Sequence, residues 1–182
     1  WLHWLLTDLV EQLDAFGNEG TGTLASVRER LAFAGSLRER SLTQHREAWQ
    51  HALEEIRTGE TYPELRDVDF GPQLGLVPLG KDPVSGLLEF LDLATHQGPI
   101  PERGAFGRLQ CAEGIGVVLV LIPGGTFLMG AQRDDEAGPN YDGLATGNEQ
   151  PVHPEQVEPF LLSKFELTQA QWERLTGARP SR

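Results

Sequence analysis

The start of the chain places apolar side chains at helical spacing. Leucine and phenylalanine recur at intervals of three and four positions, which puts them on one face of a helix. These positions are Leu2, Leu5, Leu6, Leu9, Leu13 and Phe16. Glycines and an asparagine at positions 17–22 then break the pattern, because they disfavour a helix interior. We therefore predict an amphipathic helix that ends near Gly17.

The same periodicity predicts two more helices before the first proline. The second runs from Thr23 to about Leu37 and the third from about Ser41 to Arg57, with Gly59 suited to the C-terminal stop. Their inward positions are predicted to be Leu24, Val27, Leu31 and Ala34, then Trp49, Leu53 and Ile56. Short loops between amphipathic helices favour an antiparallel bundle, which supplies packing surface and no visible chemistry.

From Tyr62 onward, proline and glycine divide the chain into short apolar runs that are typical of strands. Two such runs, 74–80 and 86–93, flank Asp82–Pro83. An aspartate followed by proline is a turn signal, so we predict a β-hairpin here. The segment 96–104 that follows is predicted to be a loop or linker.

Three further strands are predicted after this loop, at 107–111, at 117–122 and at 125–130. The run 117–122 is continuously apolar and rich in β-branched residues, as expected of a strand buried on both faces. A long polar loop over 131–156 is predicted next, and loops of that length are usually functional or mobile.

The last segment predicts a strand followed by a capped helix. Residues 159–167 form the strand, with Phe160, Leu162 and Phe165 as candidate core residues. Thr168 and Gln171 have the spacing of a capping box, and Leu167 and Trp172 that of a hydrophobic staple. Gly177 is suited to the helix stop.

Composition narrows the function classes. The chain has 182 residues and a net charge of −12, which argues against a broad nucleic-acid-binding face and against docking on anionic lipid. No run reaches the roughly 18 apolar residues of a membrane span. Cys111 is the only cysteine, so an internal disulfide and a cysteine-rich zinc site are excluded. The chain starts at Trp1 and has its one methionine at Met129, so we expect further sequence upstream.

Residues 116–182 resemble the start of the formylglycine-generating-enzyme (sulfatase-modifying-factor) family. The motifs that carry the resemblance are VLVLIPGGTFLMGAQ, then EQPVH after an acidic loop, then PFLLSKFELTQAQWERLTGARPS. Several motifs in the same order make the resemblance specific. The stretch from GLVPLGKDPVSGLLEF through GRLQCAEGIG also resembles bacterial members in which the domain lies behind a serine/threonine protein kinase.

The resemblance implies a fold and a domain plan. The family fold is a loop-rich variant of the C-type-lectin-like fold. We therefore expect an α+β chain in which a helical segment is followed by the opening strands and first helix of such a domain, truncated at its C-terminal side. The expected divisions are a helical segment at 1–60, a β-hairpin lead-in and linker at 61–112, and the N-terminal part of the family domain at 113–182.

The resemblance also implies a chemistry that this chain does not carry by itself. Family enzymes use copper and oxygen to oxidise a cysteine of a protein substrate to formylglycine, and two cysteines in the C-terminal part of the domain bind the copper. Cys111 precedes the family signature and does not correspond to either. We therefore assign no catalytic, cofactor-binding or metal-binding residue within the chain, and expect copper only in the complete domain.

Three functions stay open from the sequence. The first is an oxidative cysteine-modifying enzyme that is incomplete here and acts on a protein or peptide. The second is a non-catalytic binding or regulatory module of a kinase-fused signalling protein. The third is a structural adaptor formed by the helical segment.

Several residues suggest other chemistry, and each has a simpler interpretation. Gly124 and Gly125 suggest a phosphate loop, but no Gly-Lys-Ser/Thr follows, so a turn that needs positive φ is favoured. Five carboxylates in the polar loop suggest calcium ligation, but their spacing matches no EF-hand loop, so a solvated acidic loop is favoured. The carboxylates concerned are Asp134, Asp135, Glu136, Asp142 and Glu149.

The remaining candidates also favour structural roles. His153 stands between Pro151 and Pro154 without a second ligand at helical spacing, so we expect it to hydrogen-bond the loop. Ser163 and Ser181 lack the context of a nucleophile elbow. A strand methionine and a staple tryptophan, Met129 and Trp172, are more often core than cofactor ligands. Gly114 and Gly116 lack the third glycine of a dinucleotide site.

Overall fold

The computed structural model describes residues 1–179. The chain is α+β, with three helices first, then the strands of two antiparallel sheets, and a fourth helix last. The helices are α1 (Leu2–Gly17), α2 (Thr23–Arg38), α3 (Arg46–Thr58) and α4 (Gln169–Thr176). The strands are β1 (Leu76–Lys81), β2 (Leu88–Asp92), β3 (Val118–Ile122), β4 (Gly125–Met129), β5 (His153–Val157) and β6 (Phe160–Ser163). Pro180 and Ser181, which the resemblance includes, and Arg182, where the predicted domain ends, lie outside the described residues.

The larger sheet joins strands from both sides of the linker. Its order is β1-β2-β3-β6, and every neighbouring pair is antiparallel. β1 and β2 form the predicted hairpin, in which the Asp82 carboxylate accepts hydrogen bonds from the backbone N–H groups of Val84 and Ser85. The smaller sheet is a ribbon of β4 and β5.

Helix α3 supplies the core on one face of the larger sheet. Trp49, Ala52 and Ile56 are buried, and they cluster with Phe90 and Leu121 of the sheet. The rings of Trp49 and Phe90 lie 5.5 Å apart, centroid to centroid. The sequence prediction that Trp49 and Ile56 point inward is therefore confirmed.

A tyrosine ties the loop after α3 to two strands. Tyr62 is buried, and its hydroxyl accepts a hydrogen bond from the N–H of Leu88 at 2.7 Å and donates one to the carbonyl of Leu121 at 3.1 Å. Both bonds lie inside the core, where an unpaired polar group is costly. The hydroxyl thus stabilises the pairing of β2 with β3.

The predicted bundle interior does not form within one chain. α1 buries none of its residues, and the inward positions predicted for α1 and α2 are exposed. α2 instead uses Phe33 and Leu37, which pack against a cluster around Val77 and Leu91 of the sheet. It continues through a π-helical turn, Glu39–Thr43, into α3. The prediction is wrong because periodicity shows that a helix has an apolar face but not which surface covers it.

Two strand predictions are also corrected. The segment 107–111 is not a strand, and its only ladder contact is an isolated bridge between Arg103 and Leu109. β5 begins inside the predicted polar loop and ends one residue after it; His153 pairs with Met129 and Val157 with Gly125. The sequence of β5 is polar with a proline, so its strand conformation comes from backbone pairing with β4 and not from side-chain burial.

The predicted core residues of the last strand are on the surface. Phe160, Leu162 and Phe165 are exposed, as is Met129 on β4. β6 is the edge strand of its sheet, and within residues 1–179 these side chains are covered only in part. On β3, Val118 and Leu121 are buried, whereas Leu119, Val120 and Ile122 are only partly buried, so the prediction of burial on both faces is only partly right.

Helix α4 begins and ends as the sequence predicts. The Thr168 hydroxyl accepts a hydrogen bond from the N–H of Gln171, and the Gln171 side chain accepts one from the N–H of Thr168. Gly177 ends the helix with φ of +74°, a conformation that favours glycine. Trp172, however, is 39% exposed, and α4 is held instead by Gln171 and Arg174, which donate to the carbonyl of Ile115.

We expect Thr168→Ala to lower the free energy of unfolding by about 1 kcal/mol, because it removes the capping oxygen. Trp172→Ala should cost less than the roughly 3 to 5 kcal/mol of a buried aromatic residue, since its ring is partly exposed. Urea denaturation followed by circular dichroism measures both. A loss above 3 kcal/mol for Trp172→Ala would show that the ring is buried in solution.

No helix in residues 1–179 combines the length and the apolar character that a membrane crossing requires.

Candidate functional site

A network of four charged side chains lies on the sheet face opposite α3. Glu89 of β2 is 1% exposed, and its carboxylate is 2.8 Å from Nη2 of Arg103. The ammonium of Lys164, which follows β6, pairs with Glu89 and lies 2.6 Å from the Asp82 carboxylate. Arg103 also donates to the carbonyls of Leu79 and Gly107. The buried charge is therefore paired on both carboxylate oxygens.

The network shifts the pKa of two of its members. The hydrogen bond from Lys164 lowers the pKa of the Asp82 carboxyl far below its usual range, and the N–H groups of Ser85 and Val84 lower it further. Partial burial alone would lower the pKa of Lys164, but its hydrogen bonds to Asp82 and Glu89 outweigh that effect and raise it. Both groups are charged at neutral pH.

An apolar cleft of about 600 Å³ opens beside this network. Glu89, Val120 and Leu162 stand in register across β2, β3 and β6, so they share one face of the sheet. The other apolar residues of the wall are Leu87, Leu109, Ile122 and Phe165. The cleft thus has apolar walls and a charged floor, a composition that is common in binding sites.

Two loops form the rim of the cleft and expose large apolar side chains. Val84 in the hairpin turn lines the cleft and is 93% exposed, and Phe106, two residues before the lining residue Arg108, is 92% exposed. Phe106 has φ of +60°, which is unfavourable for an aromatic residue. Gly107 packs against Pro83, where a Cβ would meet the proline ring at 2.7 Å. The linker loop and the hairpin turn therefore contact each other at this end of the cleft.

A second polar cluster joins the end of β2 to the start of the family-like segment. Nδ1 of His96 accepts a hydrogen bond from the N–H of Gly116 at 3.1 Å, and Nε2 lies 3.1 Å from the carbonyl of Pro99. This arrangement requires the neutral ring with its proton on Nε2. Burial lowers the pKa of His96, and Arg174 and Arg40 lower it further, against the opposing effect of hydrogen bonds to Pro99 and Gly98.

We expect stability to fall as the pH drops below the ordinary histidine value of 6.5. The folded pKa of His96 is lowered, so the unfolded chain binds more protons in this range. The stabilisation is complete above pH 6.5 and is lost as the pH falls through the folded pKa. Thermal unfolding between pH 5 and 7.5 measures the slope.

His96→Asn is the matched control, because it keeps an acceptor but does not titrate in this range. The pKa of His45 is also lowered by burial, so part of the slope should remain in the variant. An unchanged slope would contradict the role of His96.

The residues singled out from sequence do not converge on a reactive site. Gly125 has the predicted positive φ, of +138°, and a Cβ on Gly124 would meet the Glu64 carboxylate and backbone, so these glycines allow close approach of the chain. In the acidic loop, Asp135 and Asp142 accept hydrogen bonds from nearby backbone N–H groups. No group of three or more His, Cys, Asp or Glu side chains among residues 1–179 is arranged to hold a metal.

The other candidates act in local structure. Nδ1 of His153 lies 2.7 Å from the carbonyl of Pro151, as expected for a histidine that hydrogen-bonds its loop. The Ser163 hydroxyl donates to the carbonyl of Phe165. Gly114 has φ of +91°, and a Cβ on Gly116 would meet the carbonyl of Asp92 at 2.6 Å. Both glycines are therefore required by the backbone conformation and its close packing.

The described residues do not fit a copper site. Cys111 is the only thiol of the chain, and it is exposed. It has no second sulfur ligand and belongs to no cluster of potential ligands within residues 1–179. We therefore derive no reaction step through copper from this chain.

We expect Cys111→Ser to leave stability nearly unchanged, because the thiol is exposed. Surface substitutions usually stay within about 0.5 kcal/mol. A loss above about 2 kcal/mol in chemical denaturation would indicate a structural role that the fold does not show.

Sequence reasoning missed the charged network. The available signal was a charge with apolar neighbours inside a predicted strand, Glu89 in GLLEFLDL and Lys164 in FLLSKFEL. A charge at such a position must be paired when it is buried. Its partner could not be identified from sequence, because Lys164 is 75 positions away from Glu89.

The fold and the cleft together define an α+β protein with a candidate binding site. Residues 112–180 match the family model of the sulfatase-modifying factor enzyme 1-like domain. This match covers less than half of the chain and supports the resemblance carried by the motifs. Comparisons with curated proteins and with solved structures found no match.

Proposed function

We propose that this chain provides the N-terminal part of a sulfatase-modifying-factor-like domain and that its own role is to bind a polypeptide. The observation that carries the proposal is the position of β6 beside the apolar cleft. β6 ends the sheet order, and within residues 1–179 it pairs on one side only, with β3. Its other edge offers backbone N–H and C=O groups for pairing.

An extended polypeptide fits this edge better than a compact ligand does. Added as a strand, it would form backbone hydrogen bonds with β6 and place every second side chain on the cleft side. Leu162 and Val120 would contact its apolar side chains, and the Lys164–Asp82 pair would meet its polar groups. A polypeptide ligand also agrees with the protein substrate that the family resemblance implies.

Fluorescence anisotropy with a labelled peptide tests this proposal. The probe is a sulfatase-type Cys-x-Pro-x-Arg peptide that carries serine in place of cysteine, so binding is measured without oxidation. Leu162→Asp should weaken binding by about tenfold or more, because it puts a charge on the apolar wall. Leu162 is 54% exposed, so the variant is expected to fold.

Leu128→Asp is the matched control, since Leu128 is 45% exposed and lies on β4, in the other sheet. We expect its affinity for the peptide to equal that of the wild type. Absence of binding to the wild type, or equal weakening by both substitutions, would contradict the proposal.

The family match favours a second function, oxidation of a substrate cysteine to formylglycine by a complete domain. The thiol ligands of the copper would then come from outside residues 1–182. We expect the present chain, incubated with copper, oxygen and the cysteine form of the peptide, to produce no aldehyde above a no-protein control. Aldehyde production by this chain would show that the oxidation does not depend on those thiols.

The lead-in resembles family members that are fused to a kinase, and this resemblance suggests where the binding role would be used. In such a protein the cleft would act as a recognition module of a signalling protein. A longer chain that contains a kinase and lacks paired downstream cysteines would support this function over the oxidase.

A further inference from the structure

Helix α1 leaves its apolar face uncovered. None of its residues is buried, and Leu9 in the middle of the face is 49% exposed. The large apolar residues exposed on α1 as a whole are Leu2, Trp4, Leu5, Leu6, Leu9, Val10, Leu13 and Phe16, and all but Trp4 and Val10 lie on the side of Leu9. An isolated helix of this length is only marginally stable in water, so packing of this face would stabilise it.

Helix α2 has an uncovered apolar stripe as well. Leu24, Val27 and Leu31 recur at intervals of three and four, and Leu31 is 71% exposed. The residues of α2 that pack on the sheet are others, Phe33 and Leu37. The stripe therefore lies on a different part of the helix from the sheet contact. α1 of the same chain contacts α2, but it leaves the stripe at least 39% exposed, so surface remains for a partner.

The two uncovered faces are large enough for a specific interface. Taken together, the half-exposed side chains of α1 and α2 offer apolar surface on the order of the 800 Å² per partner that stable interfaces bury. Monomeric proteins rarely expose contiguous apolar patches of more than a few hundred Å².

The charges of the two helices are complementary. α1 carries Asp8, Glu11 and Asp14 and no lysine or arginine, for a net charge of −3. α2 carries three arginines, at positions 28, 30 and 38, and Glu29, for a net charge of +2. Within residues 1–179, the ion pairs include none of these side chains. The electrostatic interaction between α1 and α2 is thus attractive when they pack together. Packing of α1 on a second α1, or of α2 on a second α2, would bring like charges together and is repulsive.

We propose that a second copy of this chain covers these faces. α1 of one protomer packs against α2 of its partner, and the two helical hairpins close an antiparallel four-helix bundle around a two-fold axis. An isologous interface of this kind uses both stripes of both copies. It also explains why the sequence periodicity predicts a bundle interior that a single chain does not contain. The negative charge of α1 disfavours an anionic lipid surface as the occupant.

Sedimentation velocity of the full chain tests the proposal. At about 100 µM we expect a dimer of the 20.1 kDa chain. Leu9→Gln and Leu31→Gln should each raise the dimer Kd by about tenfold or more. Leu144→Gln is the matched control, since Leu144 is 88% exposed in the loop before β5, and it should leave the Kd unchanged.

Charge reversal identifies which helices meet. Reversing the three carboxylates of α1 to lysine should weaken the dimer, and reversing the three arginines of α2 to glutamate as well should restore it. Circular dichroism and thermal unfolding establish that each variant is folded. A monomer at this concentration, a different stoichiometry, or a dimer unaffected by Leu9→Gln and Leu31→Gln overturns the proposal. Failure of the double reversal to restore the dimer overturns the α1-to-α2 pairing.

Discussion

Replacement of Glu89 by alanine should lower the free energy of unfolding by about 3 to 5 kcal/mol, the usual cost of breaking a buried ion pair. Glu89 is 1% exposed and pairs with Arg103 and Lys164. Its removal leaves two partly buried cations with fewer acceptors, although Lys164 keeps Asp82 and Arg103 keeps backbone carbonyls. Urea denaturation at neutral pH measures the loss.

Glu55→Ala is the matched control for this prediction. Glu55 pairs with Lys81 at 2.8 Å, the same distance as between Glu89 and Arg103, but both side chains are more exposed. We expect a loss of about 0.2 to 1 kcal/mol, because exposed ion pairs are screened by water. Equal losses in the two variants would mean that Glu89 is solvated in solution and that the floor of the cleft is open.

Replacement of Trp49 by alanine should also cost about 3 to 5 kcal/mol, through loss of buried contacts and the cavity that remains. Trp49 is 2% exposed, packs on Phe90 and donates a hydrogen bond to the carbonyl of Ser41 at 2.9 Å. We expect α3 to loosen from the sheet. Urea unfolding followed by far-UV circular dichroism should therefore show a lower midpoint and a less cooperative transition.

A second substitution at Trp49 and a control at an exposed site help to interpret this loss. Trp49→Phe keeps a ring and removes the N–H donor, and it should cost about 1 to 3 kcal/mol. Leu144→Ala removes an exposed side chain and should change stability by no more than about 0.5 kcal/mol. A Trp49→Ala protein as stable as Leu144→Ala would show that α3 does not pack on the sheet in solution.

These two residues connect stability with the proposed binding role. Trp49 packs α3 against one face of the sheet. Glu89 and Lys164 form an ion pair on the other face, where the cleft lies. Lys164 follows β6 directly, so its ion pairs fix the end of the strand whose edge we propose as the polypeptide site. Loss of Glu89 should therefore weaken peptide binding as well as folding.

The features that sequence reasoning predicted are those encoded within a few residues. The hairpin at Asp82 depends on a carboxylate that bonds N–H groups two and three positions ahead. The cap at Thr168 and the stop at Gly177 depend on equally short distances along the chain. Such signals do not require knowledge of what packs elsewhere, which is why they were predicted correctly.

The burial of each apolar face could not be predicted from the sequence in the same way. Phe160 and Leu162 have the pattern of core residues, yet β6 is an edge strand and they are exposed. Leu9 has the pattern of a bundle interior, yet α1 buries nothing within one chain. Periodicity establishes that a face is apolar, but burial depends on a second surface that is distant in sequence.

The sequence by itself therefore determined the α+β composition, the hairpin, the capped helix and the family resemblance of residues 116–182. Only the tertiary structure decided that Glu89, Arg103 and Lys164 meet, that a cleft forms beside them, and that α1 remains uncovered. The physical reason is that local hydrogen bonds and turn conformations need only neighbouring residues. Burial and charge pairing depend instead on where distant segments of the chain pack together.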